Sequence, residues 1–235
     1  MGCLPRLLSS DPSPAFCSAE VSGFRKWQVT AKCLYYMKNN DEEVSPYTGH
    51  TDCLTHEFLN TAYPCLNEKQ LGIGETTITG RKALVNKKGM FMIEELQRIV
   101  LQRCTTARDA IRVMGELIEK YGYGDWGECL TIADPKEVWH FEVFGEGPDK
   151  IGGVWAAIRI PDDHVGVSAN IPRISKVDPK DTDNCMASAN VFEVAKRMGF
   201  WDGKKPFRFW EAYAGGNYAG ELKSFSIREF FILKK

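Results

Sequence analysis

The chain has 235 residues, 43% of them hydrophobic, which is enough to bury one sizeable core and too few to demand two domains. Thirty lysines and arginines stand against 31 acidic residues, and a net charge of −1 supplies no overall field to draw in nucleic acid or an anionic membrane. Eight cysteines at irregular spacing, Cys3, Cys17, Cys33, Cys53, Cys65, Cys104, Cys129 and Cys185, exclude the dense disulfide framework of a small secreted domain and lead us to expect reduced thiols and a cytoplasmic location. The leucines around Leu4 and Leu8 are broken by Pro5 and Arg6, too short a run for a signal peptide, and no apolar segment reaches membrane length.

In chain order, Pro5, Pro12 and Pro14 interrupt any period in residues 1–45, with a strand expected somewhere in Trp27 to Met37 and a solvated loop from Met37 to Glu43. His50, Cys53 and His56 stand three apart. They form a lone cluster without the second ligand pair of a zinc knuckle, so no metal and no cofactor is expected. From Leu71 to Ile78 a strand is predicted in which Leu71 and Ile73 alternate with Gly72 and Gly74. Glycines inside a strand mark either close packing or a cleft floor, and the sequence leaves both open.

Phe91 to Arg103 carries Ile93, Leu96, Ile99 and Val100 at helical spacing. A second helix is predicted from Thr106 to Tyr121, with Ala107, Ala110, Ile111, Met114, Leu117 and Ile118 on one face, a capping pair in Thr106 and Asp109, and a stop at Gly122. The period then changes to two. Glu128 to Ala133, Val138 to Phe144, Gly153 to Ile160 and Val165 to Asn170 read as four strands separated by Asp-Pro, Gly-Pro and Pro-Asp turns. Short links imply antiparallel neighbours, so an α+β arrangement is expected, with an antiparallel sheet covered by helices. A helix from Met186 to Met198, an aromatic and glycine-rich loop from Trp201 to Asn217 and an interrupted element around Arg228 to Phe231 complete the reading.

An ordered series of segments resembles the dipeptidase A type of cysteine dipeptidases, members of the N-terminal nucleophile hydrolases. It comprises Asn67-Glu68-Lys69, Ile73-Gly74-Glu75-Thr76-Thr77, Thr106-Ala107-Arg108-Asp109-Ala110, Ile132-Ala133-Asp134-Pro135, Glu137-Val138-Trp139, Arg159-Ile160-Pro161-Asp162-Asp163 and Val167-Ser168-Ala169-Asn170. The likeness is strong from Cys65 to Ile174 and absent from residues 1–60. It implies a divergent N-terminal segment over 1–60 and an N-terminal nucleophile hydrolase domain over 61–235, incomplete at its C-terminus, with an αββα sandwich fold.

The resemblance also implies a chemistry. The thiol of an N-terminal cysteine attacks the amide carbonyl of a dipeptide, its own α-amine serves as base, and amide dipoles hold the oxyanion. Cys3 takes that role once Met1 and Gly2 are removed, while Cys65 is internal and would need a neighbouring base, for which His56 is the candidate. Glu75, Thr76 and Thr77 are assigned to substrate binding. Asn170 is either an oxyanion donor or a strand-end cap before Pro172. None of Cys3, Cys17 and Cys33 is followed by the family's N-terminal motif, so the competing reading is a catalytically inactive or truncated scaffold. A dipeptide is the expected partner, with no nucleic acid and no membrane, and the sequence sets no oligomeric state.

Overall fold

The computed structural model describes residues 24–25, 28–29, 53–215 and 227–233. Two short antiparallel pairs come first: β1 (Phe24–Arg25) with β4 (Phe58–Leu59), and β2 (Gln28–Val29) with β3 (Cys53–Leu54). The main sheet has five strands whose spatial order follows the chain: β5 (Gly72–Thr77), β6 (Glu128–Ala133), β7 (Val138–Gly145), β8 (Gly153–Ile160) and β9 (Cys185–Ala187). Every neighbouring pair is antiparallel. Between β5 and β6 run α1 (Ile93–Arg103) and α2 (Ala107–Tyr121); α3 (Val191–Arg197), α4 (Phe209–Tyr213) and α5 (Ile227–Leu233) follow the sheet.

The side-chain alternation of β7 divides the interior in two. Trp139, Phe141 and Val143 face α1 and α2 in one apolar cluster with Ile111, Met114, Leu117 and Ile118. Phe144 faces the other way, into a cluster built from Cys129, Val154 and Ala156 of the sheet and Val194, Phe209 and Tyr213 of the later helices. Each fully buried aliphatic side chain contributes about 2 kcal/mol, so α2 is held by its packed face more than by helix propensity. Its ends are fixed locally. The Asp109 N–H donates to Thr106 Oγ1 at 3.1 Å, and Gly122 takes φ 84°, where a side chain would be strained.

Many of the family-like residues are structural. Asn67 donates to the Leu101 and Cys104 carbonyls at 2.8 and 2.9 Å, capping the end of α1, and accepts the Lys69 and Leu71 N–H groups. Asp134 accepts the first N–H of α2 from Ala107 at 2.8 Å while organising its own turn through Lys136 and Glu137. Burial works against its ionisation, yet these three N–H groups hold its carboxyl below the ordinary range. Arg108 grips Glu137 at 2.8 and 3.1 Å and lies 4.7 Å over the Trp139 ring.

The helices predicted at Phe91 to Arg103 and Thr106 to Tyr121 and the strands at 128–133, 138–144 and 153–160 are present, as is the strand within 71–78. The predicted strand Val165 to Asn170 is not formed. Val165 is 76% exposed, the stretch crosses the sheet as a loop, and the edge beside β8 is occupied by β9 instead. The helix expected over Met186 to Met198 is shortened to α3, because Cys185–Ala187 pairs with β8 first. A short helix, α4, lies within the stretch read as loop from Trp201. Gln28–Val29 accounts for part of the strand expected in Trp27 to Met37, while the loop from Met37 to Glu43 lies outside the described residues. Among the described residues there is one large sheet, not two packed on each other, and no helix is long and apolar enough to cross a membrane.

Candidate active site

The loop from Val165 to Ile174 lies against the end of β5, and Ser168 and Asn170 of the loop meet Thr76 and Thr77 there. Strand register sets Thr76 beside Cys129, and Cys129 beside Glu142, as one row across the face opposite α1 and α2. Thr76 Oγ1 and Ser168 Oγ are 2.9 Å apart and tie the loop to β5. Gly74, one pleat away on that face, has open space where a side chain would stand, so close packing does not account for the glycine at this position.

Asn170 sits at the head of the loop with φ 61°, a left-handed conformation that asparagine tolerates better than most residues. Its Nδ2 donates to the Thr77 carbonyl at 2.7 Å, and its Oδ1 accepts from Arg228 Nη2 at 2.6 Å. The same guanidinium nitrogen donates to the Ala169 carbonyl at 3.2 Å. The side chain is exposed and an amide nitrogen carries two N–H donors, so one remains for an incoming oxygen. This geometry is compatible with both sequence readings: the amide does tie the loop to a strand end, and it retains one N–H donor on an exposed side chain.

The loop's far end is fixed from inside the sheet. Glu142 Oε1 accepts the backbone N–H groups of Arg173 and Ile174, the latter at 3.0 Å. Burial raises the Glu142 carboxyl to about 7, against the lowering effect of those two N–H groups and of the Arg173 charge. Arg173 Nη1 in turn meets the buried Glu229 of α5 at 3.1 Å. Consecutive residues of one short helix, Arg228 and Glu229, therefore hold the two ends of the 169–173 segment. His140 lies on the same sheet face, and burial together with Arg173 lowers its pKa to about 4, which keeps the imidazole neutral.

Glu75, Thr76 and Thr77 are brought together with Asn170 by the end of β5; Thr77 Oγ1 also donates to Glu75 Oε1 at 3.2 Å. Cys3 lies outside the described residues, as do Cys17, Cys33 and His50. The described thiols are poor nucleophiles in three cases. Cys104 is buried and pushed up to about 12, Cys129 and Cys185 are likewise raised by burial, and Cys65 is partly exposed. The His56 imidazole is engaged 3.6 Å from the Glu68 carboxylate. No group of three or more His, Cys, Asp or Glu among the described residues has the arrangement of a metal site.

Sequence reasoning missed Ser168, Glu142, Arg173, Arg228 and Glu229. A carboxylate in the middle of an apolar strand was the available signal for Glu142, and an Arg-Glu pair before Phe230 was the signal for α5.

The profile of peptidase family C69 matches residues 47–222. A probable dipeptidase of Salmonella dublin is 34% identical over 193 residues, covering 77% of this chain and 42% of that protein. The probable dipeptidase of Latilactobacillus sakei is 35% identical over 95 residues, 40% of this chain and 19% of the other. Probable dipeptidase B of Lactococcus lactis subsp. lactis is 35% identical over 102 residues, 43% of this chain and 20% of the relative. The chain thus spans less than half the length of these relatives.

Proposed function

Since the chain belongs to peptidase family C69, we propose that it acts in the hydrolysis of dipeptides through an N-terminal thiol, on an αββα sandwich of N-terminal nucleophile hydrolase type. The observation that carries this reading is Asn170, exposed and fixed between Thr77 and Arg228 with an amide N–H left over. Residues 61–235 form the hydrolase domain and residues 1–60 a divergent segment. A reducing, cytoplasmic setting fits the free thiols at Cys65, Cys104, Cys129 and Cys185.

In this reading the cysteine thiolate adds to the amide carbonyl, and its α-amine takes the thiol proton and passes it to the leaving amine. Water then resolves the thioester. The free N–H of Asn170 meets the oxyanion, a contact worth most at the tetrahedral stage. Thr76 and Thr77 shape the wall, and Glu75 contacts the substrate. Cys3 is the nucleophile when Met1 and Gly2 are removed. The test is hydrolysis of Ala-Ala by the chain beginning at Cys3 and by its Cys3→Ala form: turnover lost in the variant is expected, and turnover that survives would exclude Cys3. An intact mass showing Met1 retained in the native protein, with no hydrolysis after its removal, would favour the inactive scaffold.

A further inference from the structure

On the opposite side of β5 from Ser168, a group of carboxylates gathers, and no ion pair is formed by Glu75, Glu94 or Glu128 among the described residues. Glu75 and Glu128 come from adjacent strands, where Thr77 pairs with Glu128, so the two carboxyl groups lie on the same face of the sheet as near neighbours. Glu94 enters from the first turn of α1, and the bridge between Phe91 and Tyr123 brings that turn beside the Tyr123 loop. Three buried polar atoms here have no hydrogen-bond partner: Glu128 Oε2, Glu94 Oε2 and the Tyr123 hydroxyl. Tyr123 is wholly buried and Glu128 is 3% exposed, so neither is satisfied by bulk water. Burial first, and then the charges of Glu128, Asp125, Glu94 and Glu75, raise the pKa of the Tyr123 hydroxyl, and the same four carboxylates raise that of Tyr63, which is 47% exposed.

We propose that Glu75 and Glu128, with Glu94 and the Tyr123 hydroxyl behind them and Tyr63 at the mouth, form the subsite that receives the free α-ammonium group of the dipeptide. The inference rests on the dipeptidase reading and deepens it. An ammonium offers three N–H donors, which answers the unpartnered carboxylate oxygens, and an aromatic face at the entrance favours a cation. A metal ion is the poorer fit, because these carboxylates do not converge as metal ligands. Thr77 joins the two ends of the site: its hydroxyl donates to Glu75 and its carbonyl accepts from Asn170. A dipeptide whose amine is held at Glu75 therefore has its only peptide carbonyl near Asn170, and longer or N-blocked peptides lose that placement.

Burial, reinforced by Glu75, raises the Glu128 carboxyl well above the ordinary carboxylate range, with Asp125 adding and Thr77 opposing. Arg98 is the basic side chain that faces Glu94. The empty site accordingly retains a proton on Glu128, and an arriving ammonium releases it to solvent.

The experiment is calorimetric titration of the full chain with the hydroxyethylene isostere of Ala-Ala, which cannot be cut, and with its N-acetyl derivative. It is run at pH 6.5, where the amine is charged, in two buffers of different ionisation enthalpy. Expected are binding of the free amine about tenfold or more tighter than the acetyl form, proton release to the buffer, and loss of both in Glu128→Gln and in the more exposed Glu75→Gln. Equal binding of the two ligands would overturn the subsite while leaving the dipeptidase reading in place. Failure of both ligands to bind would also overturn it, and Ala-Ala hydrolysis by the chain beginning at Cys3 then decides the dipeptidase reading separately.

Discussion

Asn170 combines two demands that ordinarily fall on different residues. Its backbone needs a left-handed conformation at φ 61°, and its side chain bridges the Thr77 carbonyl and Arg228. Two substitutions separate these demands. Alanine and glycine both remove the amide, so in a form with a free N-terminal cysteine each should lower kcat by on the order of a hundredfold. Only alanine is strained at this φ, by about 1 kcal/mol, so Asn170→Gly should unfold at a higher denaturant midpoint than Asn170→Ala. Equal kcat in wild type and Asn170→Gly would reduce the residue to a loop tie. The identity of Asn170 stood out in Val167-Ser168-Ala169-Asn170, but its partner Arg228 did not, because a contact across 58 residues leaves no local period to read.

At the scale of elements, α2 lies tightly against the sheet. A Cβ at Gly115 would stand 2.4 Å from a ring carbon of Trp155, whose Nε1 donates to Glu119 at 3.2 Å one turn further along the same helix. Glycine costs this helix about 1 kcal/mol of propensity, and the docking of the indole against its backbone offsets that. Gly115→Ala is expected to destabilise the chain by about 1–3 kcal/mol despite alanine's better helix propensity, with the Trp155 fluorescence shifted in the folded state. A gain in stability would mean that the sheet yields at this contact. The helices and the strands β6, β7 and β8 were legible because each carries its period over six or more residues and is closed by a turn signal at both ends. Val165 to Asn170 has the same alternation without the pairing. A free sheet edge is chosen by tertiary competition, and Cys185–Ala187 won it with only three residues.

For the whole molecule, the sheet carries two unlike faces: an apolar one under α1 and α2, and one where apolar packing by α3 and α4 adjoins the ionisable row that holds the 169–173 loop. Its stability should therefore depend on pH in two opposing ways. His140 has a folded pKa lowered from 6.5 to about 4, so the unfolded chain takes up its proton first and stability is lost as pH falls across that interval. Glu142 is raised from 4.5 to about 7, so its contribution is intact in acid and is lost as pH rises from about 4.5 to about 7, where the unfolded chain is already ionised and the folded one is not. Glu142→Gln removes the second effect and keeps an acceptor oxygen for the Arg173 and Ile174 N–H groups. The variant should gain on wild type by up to about 3 kcal/mol between pH 4.5 and pH 8, read from urea midpoints across that range. Glu142→Leu provides the contrast: both N–H groups lose their acceptor, so amide exchange at Arg173 and Ile174 should quicken at every pH. A stability difference between wild type and Glu142→Gln that stays constant from pH 4.5 to 8 would show that the Glu142 carboxyl ionises alike in the folded and unfolded chain, and that the anchor of the loop is not a titrating one.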